Sequence, residues 1–168
     1  WPTINNAFTT ATVSFDMPIM TSKLPEFDTW GVGIIALNDQ SGNKILNNNF
    51  IALSTAYHKG LDANGWHQLT VGFQGTYASK RLDITQADFE DELTALGFTG
   101  VTSEVFNNNN VPINYFNFNT GIMYSGTTNG VNSFYMVALV YHLNRPEETF
   151  LGGNFLLEPR LTIHGGGY

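Results

Sequence analysis

The sequence predicts an all-β protein, an antiparallel meander forming part of an outer-membrane β-barrel, and three observations predict it. Several segments of about ten residues alternate apolar and polar side chains at period two, the spacing of a strand with two unlike faces. The polar members are Thr, Ser, Asn, Gln and Gly, whereas the solvent face of a soluble sheet normally carries Lys, Glu and Arg. Charged residues make up only 12% of the 168, about half the roughly 25% usual in soluble globular chains, while 14% are aromatic and Asn and Thr number 19 and 18.

The first strand runs from Phe8 to Met17, where Ala11, Val13, Phe15 and Met17 alternate with Thr10, Thr12, Ser14 and Asp16. The second and third, near Trp30–Asn38 and Asn49–His58, are more continuously apolar but carry the Gly, β-branched and aromatic content of strands. The fourth, His67–Ser79, alternates most cleanly: Leu69, Val71, Phe73 and Tyr77 lie on one face, and Gln68, Thr70, Gly72, Gln74 and Thr76 on the other. A long insertion follows over 80–113. Its Thr85-to-Asp88 start, followed by Phe89, Leu93 and Leu96, predicts a short amphipathic helix capped by Thr85. The fifth strand, Asn114–Ser125, sets Phe116, Phe118, Ile122 and Tyr124 against Asn117, Asn119, Gly121 and Ser125. The sixth is Ser133–Leu143 and the seventh lies near Phe155–His164, whose Pro159 suits an edge or a strand start. The shorter joints at 39–43, 60–65 and 125–130 are Gly/Asn-loaded turns.

Of the 21 acidic and basic residues only Asp16, Glu158 and Arg160 fall inside these seven segments. An apolar outer face over an uncharged polar inner face is the barrel pattern. It makes Val13, Phe15, Leu69, Val71, Phe73, Tyr77, Phe116, Phe118 and Ile122 lipid-facing. The alternative is a soluble β-sandwich, a binding module that recognises carbohydrate or protein through its long loop. With 14 acids against 7 bases, the chain lacks the basic footprint of a nucleic-acid binder. No cysteine is present to make a disulfide, thiolate site or nucleophile.

Chemistry finds little support. His58, His67, His142 and His164 are scattered without metal-ligand spacing. The acids Asp83, Asp88, Glu90, Asp91 and Glu92 lack the alternation and central Gly of a calcium loop, so a solvated face accounts for them better. Gly31 and Gly33 precede no phosphate loop, no Gly-x-Ser-x-Gly elbow occurs, and Asp16 with Glu158 forms no recognisable glycosidase pair. The expectation is a chain without catalytic role, metal or cofactor.

Three stretches carry a resemblance: Phe116 to Tyr124, Asn132 to Phe150 with Tyr141-His-Leu-Asn-Arg-Pro146 at its centre, and Leu157 to Gly167. Thr29 to Asp39 and Leu69 to Tyr77 add Gly-alternating strands. Together they resemble the PorP/SprF family of type IX secretion membrane proteins over nearly the whole chain. The resemblance implies a bacterial outer-membrane barrel that serves protein export or surface-adhesin display, as in gliding motility. Its implied partners are outer-membrane lipids, secretion-system lipoprotein or periplasmic ring components, and an exported adhesin or its sorting domain. Members of the family look longer, and seven strands leave an open edge, so the expectation is an interior portion of a larger barrel or a chain that needs a partner to close.

Alternate connections of a meander share one side, and barrels put long loops outside. The insertion, 39–47 and 144–154 are therefore expected to be extracellular. A noncatalytic scaffold acts through contacts, so the expected partner site combines His142, Arg145, Pro146 and Phe150 with the acids Asp83, Asp88, Glu90, Asp91 and Glu92.

Overall fold

The structure is a computed structural model that describes residues 8–42, 44–83, 89–103, 110–128, 130–149 and 155–168. One antiparallel sheet contains all seven expected strands: β1 (Phe8–Ile19), β2 (Thr29–Ser41), β3 (Leu46–Gly60), β4 (His67–Asp83), β7 (Asn110–Thr127), β8 (Ser133–Tyr141) and β9 (Arg160–Gly167). Each pairs with the next in chain order, as a meander requires, with β1 and β9 at the edges.

Most ladders run past the apolar segments that announced them. β4 continues to Asp83 and β7 begins at Asn110, which narrows the long connection to 84–109. Asp39, Lys59, Lys80, Arg81 and Asp83 consequently join Asp16 and Arg160 inside strands, nearly all at the rims. Glu158 lies just outside, because the seventh strand starts after Pro159, which has no N–H to donate to a ladder. Residues 155–157 instead fold back on 146–148, with Leu157 N donating to Pro146 O at 2.9 Å.

The expected helix near 85–96 does not form over the residues described. Glu90–Glu92 is a single 3-10 turn, followed by a two-residue ladder between β5 (Leu93–Thr94) and β6 (Gly97–Phe98). Gly97 (φ 114°) and Gly100 (φ 69°) take left-handed conformations, and Leu93 and Leu96 are exposed, so among the described residues these two leucines bury no helical stripe. The proposed cap Thr85, like Asp88, lies outside the described residues.

Register places all nine expected lipid-facing residues on one face. Val13, Ala36, Ile51, Tyr77 and Phe116 form one cross-strand row, and Phe15, Ile34, Leu53, Gly75 and Phe118 the next. This face is the exposed one: Val13, Phe15, Leu53 and Phe116 are all at least 60% accessible. The opposite, polar face curls into a trough around a cavity of about 690 Å³, lined by Asp16, Gly33, Ser54, Thr70, Gln74 and Asn119 among others. Small side chains permit that curvature. Buried residues lie on this polar side, among them Ala52, Thr70, Ala78 and Val137. A soluble sandwich would need a second sheet over the apolar face; among the described residues the only other sheet is the two-residue β5–β6 ladder.

Candidate functional site

The two ends of the sheet are built differently. At one end, the turn end, short connections follow β1, β3 and β7; at the other, the loop end, lie the connections after β2, β4 and β8.

At the turn end the buried carboxylate of Asp28, its side chain 2% exposed, accepts from Tyr57 Oη at 2.5 Å, Lys59 Nζ at 2.9 Å and the Gly60 amide at 3.0 Å. The Tyr57 hydroxyl first and Lys59 second hold the Asp28 carboxyl below its ordinary value of 3.8. Phe27 beside it fills the space that a Cβ would need at Gly60 and Gly65, 2.5 and 2.7 Å away, and Gly65 also has a φ of 67°. The connection after β1 is thereby clamped onto the one after β3. Trp30, Tyr57, Tyr124 and Phe134 supply aromatic groups towards this end, with Trp30 Nε1 donating to Thr55 Oγ1 at 2.7 Å. Interfacial aromatics with one wet end have this arrangement.

At the loop end the connection after β8 turns inward over the trough. His142 Nδ1 is 3.0 Å from Asn117 Oδ1, and the His142 amide donates to Asn119 Oδ1 at 3.2 Å. Beyond the end of β8, Leu143 and Asn144 take over the free edge of β7: Leu143 N donates to Phe118 O, and the Asn144 carboxamide bridges Phe118 N and Phe116 O. Glu148 then reaches the inward face of the sheet. It pairs with Lys80 and accepts from Tyr115 Oη at 2.7 Å. Burial alone would raise the Glu148 carboxyl, but the bonds from Lys80 and Tyr115 outweigh it, and the group sits below its ordinary value. His142 and Arg145 take positive φ values of 56° and 47°, strain that this set of contacts sustains.

The expected partner residues are thus distributed unevenly. His142 is engaged with β7, Arg145 pairs with Glu158, and Pro146 is buried. Asp91 closes its own loop, accepting from the Ser103 amide at 2.6 Å and from the Thr102 and Ser103 hydroxyls; the Ser103 bonds come first in holding its carboxyl below the ordinary value. Glu92 is buried, Glu90 is exposed on the 3-10 turn, and Asp83 ends β4 with its amide donating to Ile45 O. Phe150 and Asp88 lie outside the described residues. The topology brings the two segments to one end of the sheet. Sequence reasoning missed Glu148, Lys80 and Tyr115, although their signal was present: the period-two register of β4 and β7 puts Lys80 and Tyr115 on the inward face.

A further group appears on the outward face at the loop end. Asn38, Asn47 and Asn49 interlock, Asn38 Nδ2 donating to both partners and Asn49 Nδ2 to Asn47 Oδ1 at 3.0 Å, while Gln40 Nε2 donates to Asn38 Oδ1 at 3.2 Å.

A family model described as type IX secretion system membrane protein PorP/SprF matches residues 1–168. No curated protein and no solved structure matches the chain.

Proposed function

Because this chain belongs to the PorP/SprF family of type IX secretion system membrane proteins, we propose that it acts as a noncatalytic outer-membrane barrel component whose loop end receives an exported protein. Its setting is the bacterial outer membrane. No helix among the described residues is long and apolar enough to cross a membrane, and strands serve that purpose in a barrel.

The observation that carries the reading is the inverted sheet, with large apolar side chains exposed on one face and a trough on the other in which Thr, Gly, Gln and Asn stand beside Met123, Val137 and Leu139. From Leu69 to Tyr77 the apolar face of β4 spans nine residues, eight steps of about 3.3 Å or about 26 Å along the strand. At the usual barrel tilt this is a band about 20 Å tall, close to the roughly 25 Å of outer-membrane barrels. Hydrocarbon leaves no ladder group unpaired, so the free edges of β1 and β9 are completed by further strands in the membrane. Function then lies in contacts: with lipid around the belt, with lipoprotein or periplasmic ring components at the turn end, and with an exported adhesin or its sorting domain at the loop end. Glu90, the Arg145–Glu158 pair and the acidic insertion supply the polar part of that last surface. As a domain, residues 1–168 act as one barrel segment.

Cell fractionation tests the membrane assignment. The full-length protein is expected in the outer-membrane fraction, released by detergent and not by high salt or carbonate. A product soluble without detergent would overturn it. Loss of cargo display on replacing Glu90 and Arg145, with barrel insertion intact, tests the loop-end surface; normal display would remove these residues from it.

A further inference from the structure

The two rims of the apolar belt differ chemically. Towards the turn end the outward residues are aromatic, and the exposed cation Lys59 is neutralised by Asp28. Beyond Tyr77 and Phe116 at the loop end, the next outward row is Ala11, Asn38, Asn49, Ser79 and Asn114, and the row after it Thr9, Gln40, Asn47, Arg81 and Pro112. Tyr77 Oη donates to Asn114 Oδ1 at 3.2 Å, which joins the aromatic edge of the belt to this polar ladder. Arg81 is exposed, on the same face as Leu69 and Tyr77, and among the described residues it forms no ion pair.

Ser79 and Arg81 lie two and four residues past Tyr77. At about 3.3 Å per residue and a barrel tilt they stand about 5–10 Å above the hydrocarbon edge, the depth of lipid headgroups. Each carboxamide has two donor hydrogens and an acceptor oxygen, so Gln40, Asn47 and Asn49 keep hydrogen-bonding capacity beyond the bonds of the interlocked group. The exposed Arg81 guanidinium among them fits phosphate bidentately. A bulk phospholipid surface would be met by scattered Lys and Arg; a carboxamide ladder with one arginine matches a headgroup that offers sugar hydroxyls together with phosphate.

We infer that Asn38, Gln40, Asn47, Asn49, Ser79 and Arg81 form a headgroup-level site for a phosphorylated glycolipid of the lipid A type, continuous with the lipid belt. The inference rests on the membrane reading, and it assigns the loop end to the glycolipid leaflet. Arg81 contacts phosphate and the ladder contacts the saccharide.

The test uses the full-length protein refolded in detergent, with binding of bisphosphorylated lipid A, monophosphorylated lipid A and phosphatidylglycerol measured separately. Native protein is expected to bind the bisphosphorylated form most tightly and phosphatidylglycerol least. Arg81→Gln should weaken lipid A binding about fivefold, the factor that corresponds to the ~1 kcal/mol typical of one arginine at an anionic surface. Ser79→Asp, which sets a carboxylate between Asn49 and Asn114, should weaken it further. Equal affinity for lipid A and phosphatidylglycerol, or unchanged binding by both folded variants, overturns the site. Micelle binding is independent of sidedness. A protein that binds lipid A but exposes its loop end to the periplasm would therefore refute the leaflet assignment alone, and one that needs no detergent would refute the membrane reading itself.

Discussion

Replacing Phe73 by Arg and, separately, Gln74 by Arg places the same charge one residue apart on opposite faces of β4. Phe73 is 47% exposed, sits halfway along the apolar band, and stacks on Phe118 at a centroid distance of 5.8 Å. Arginine there costs about 2–4 kcal/mol for a charge near the bilayer midplane. Loss of the ring pair adds about 0.5–1.5 kcal/mol, for a total of about 3–5 kcal/mol. Gln74 faces the trough, where a cavity of about 690 Å³ can take a longer side chain. What it gives up is the bond it accepts from Asn119 Nδ2 at 3.1 Å, about 0.5–1.5 kcal/mol. Thr70 is a poorer control, because it is buried and its hydroxyl lies 2.8 Å from His58 Nδ1. The assay is denaturant unfolding of protein refolded into short-chain lipid vesicles, read by tryptophan fluorescence and heat-modifiable gel mobility. Phe73→Arg is expected to unfold at markedly lower denaturant than Gln74→Arg. Equal losses would refute the two-faced assignment, and the reverse order would mean a one-residue slip of register, which exchanges every face.

Asp28→Asn should lower the stability of the turn end at neutral pH. Because the folded carboxyl lies below 3.8, its stabilisation is present above that pH and is lost as pH falls through the folded value. The gap between native protein and variant in an acid titration should therefore close below about pH 4, and a gap constant to pH 2 would refute the clamp. Glu148→Ala leaves Lys80 and the Tyr115 hydroxyl facing the trough without their acceptor, at a cost of about 1–3 kcal/mol, and should make the 142–149 connection cleavable by added protease. A Lys80→Met/Glu148→Ala pair should cost less than the sum of its single changes, and strict additivity would refute the coupling. The chain has no cysteine, so Leu96→Cys and Leu61→Cys report sidedness cleanly: an impermeant maleimide on intact cells should label Leu96→Cys and spare Leu61→Cys, and the reverse pattern would invert the topology.

The strands were legible because a sheet between two unlike media imposes period two over its whole length, and β1, β4 and β7 carry that alternation nearly without interruption. Their ends were less legible. Ladders at the rims pair residues such as Asn47 with Arg81, where headgroups or water tolerate any polar side chain and the alternation fades. The insertion misled for a different reason. Leu93 and Leu96 have helical spacing, but a helix of that length needs a surface to bury its stripe, and two left-handed glycines within five residues of Leu96 favour a tight ladder instead. The tertiary pairs could not be read at all. Asp28 and Tyr57 are 29 residues apart and Lys80 and Glu148 are 68 apart, and nothing in either local sequence specifies the other. Arg145 and His142 looked available for a partner because sequence shows a charged fork and an imidazole without showing Glu158 and Asn117 beside them.

The contrast between the ends follows from what each connection must do. Short connections cost little closure entropy, and at the turn end one buried carboxylate and one phenylalanine packed on two glycines suffice to lock them. The two long connections at the loop end, after β4 and after β8, cost more to close and are held by a few polar contacts: Glu148 to Lys80 and Tyr115, Asp91 to Ser103, and Arg145 to Glu158. Segments held this way open at lower free energy than the ladder beneath them. The loop-end receiving surface proposed above would gain from that. Its side chains can exchange an internal partner for an external one at small net cost, while the clamped turn end and the apolar belt keep the strands in register.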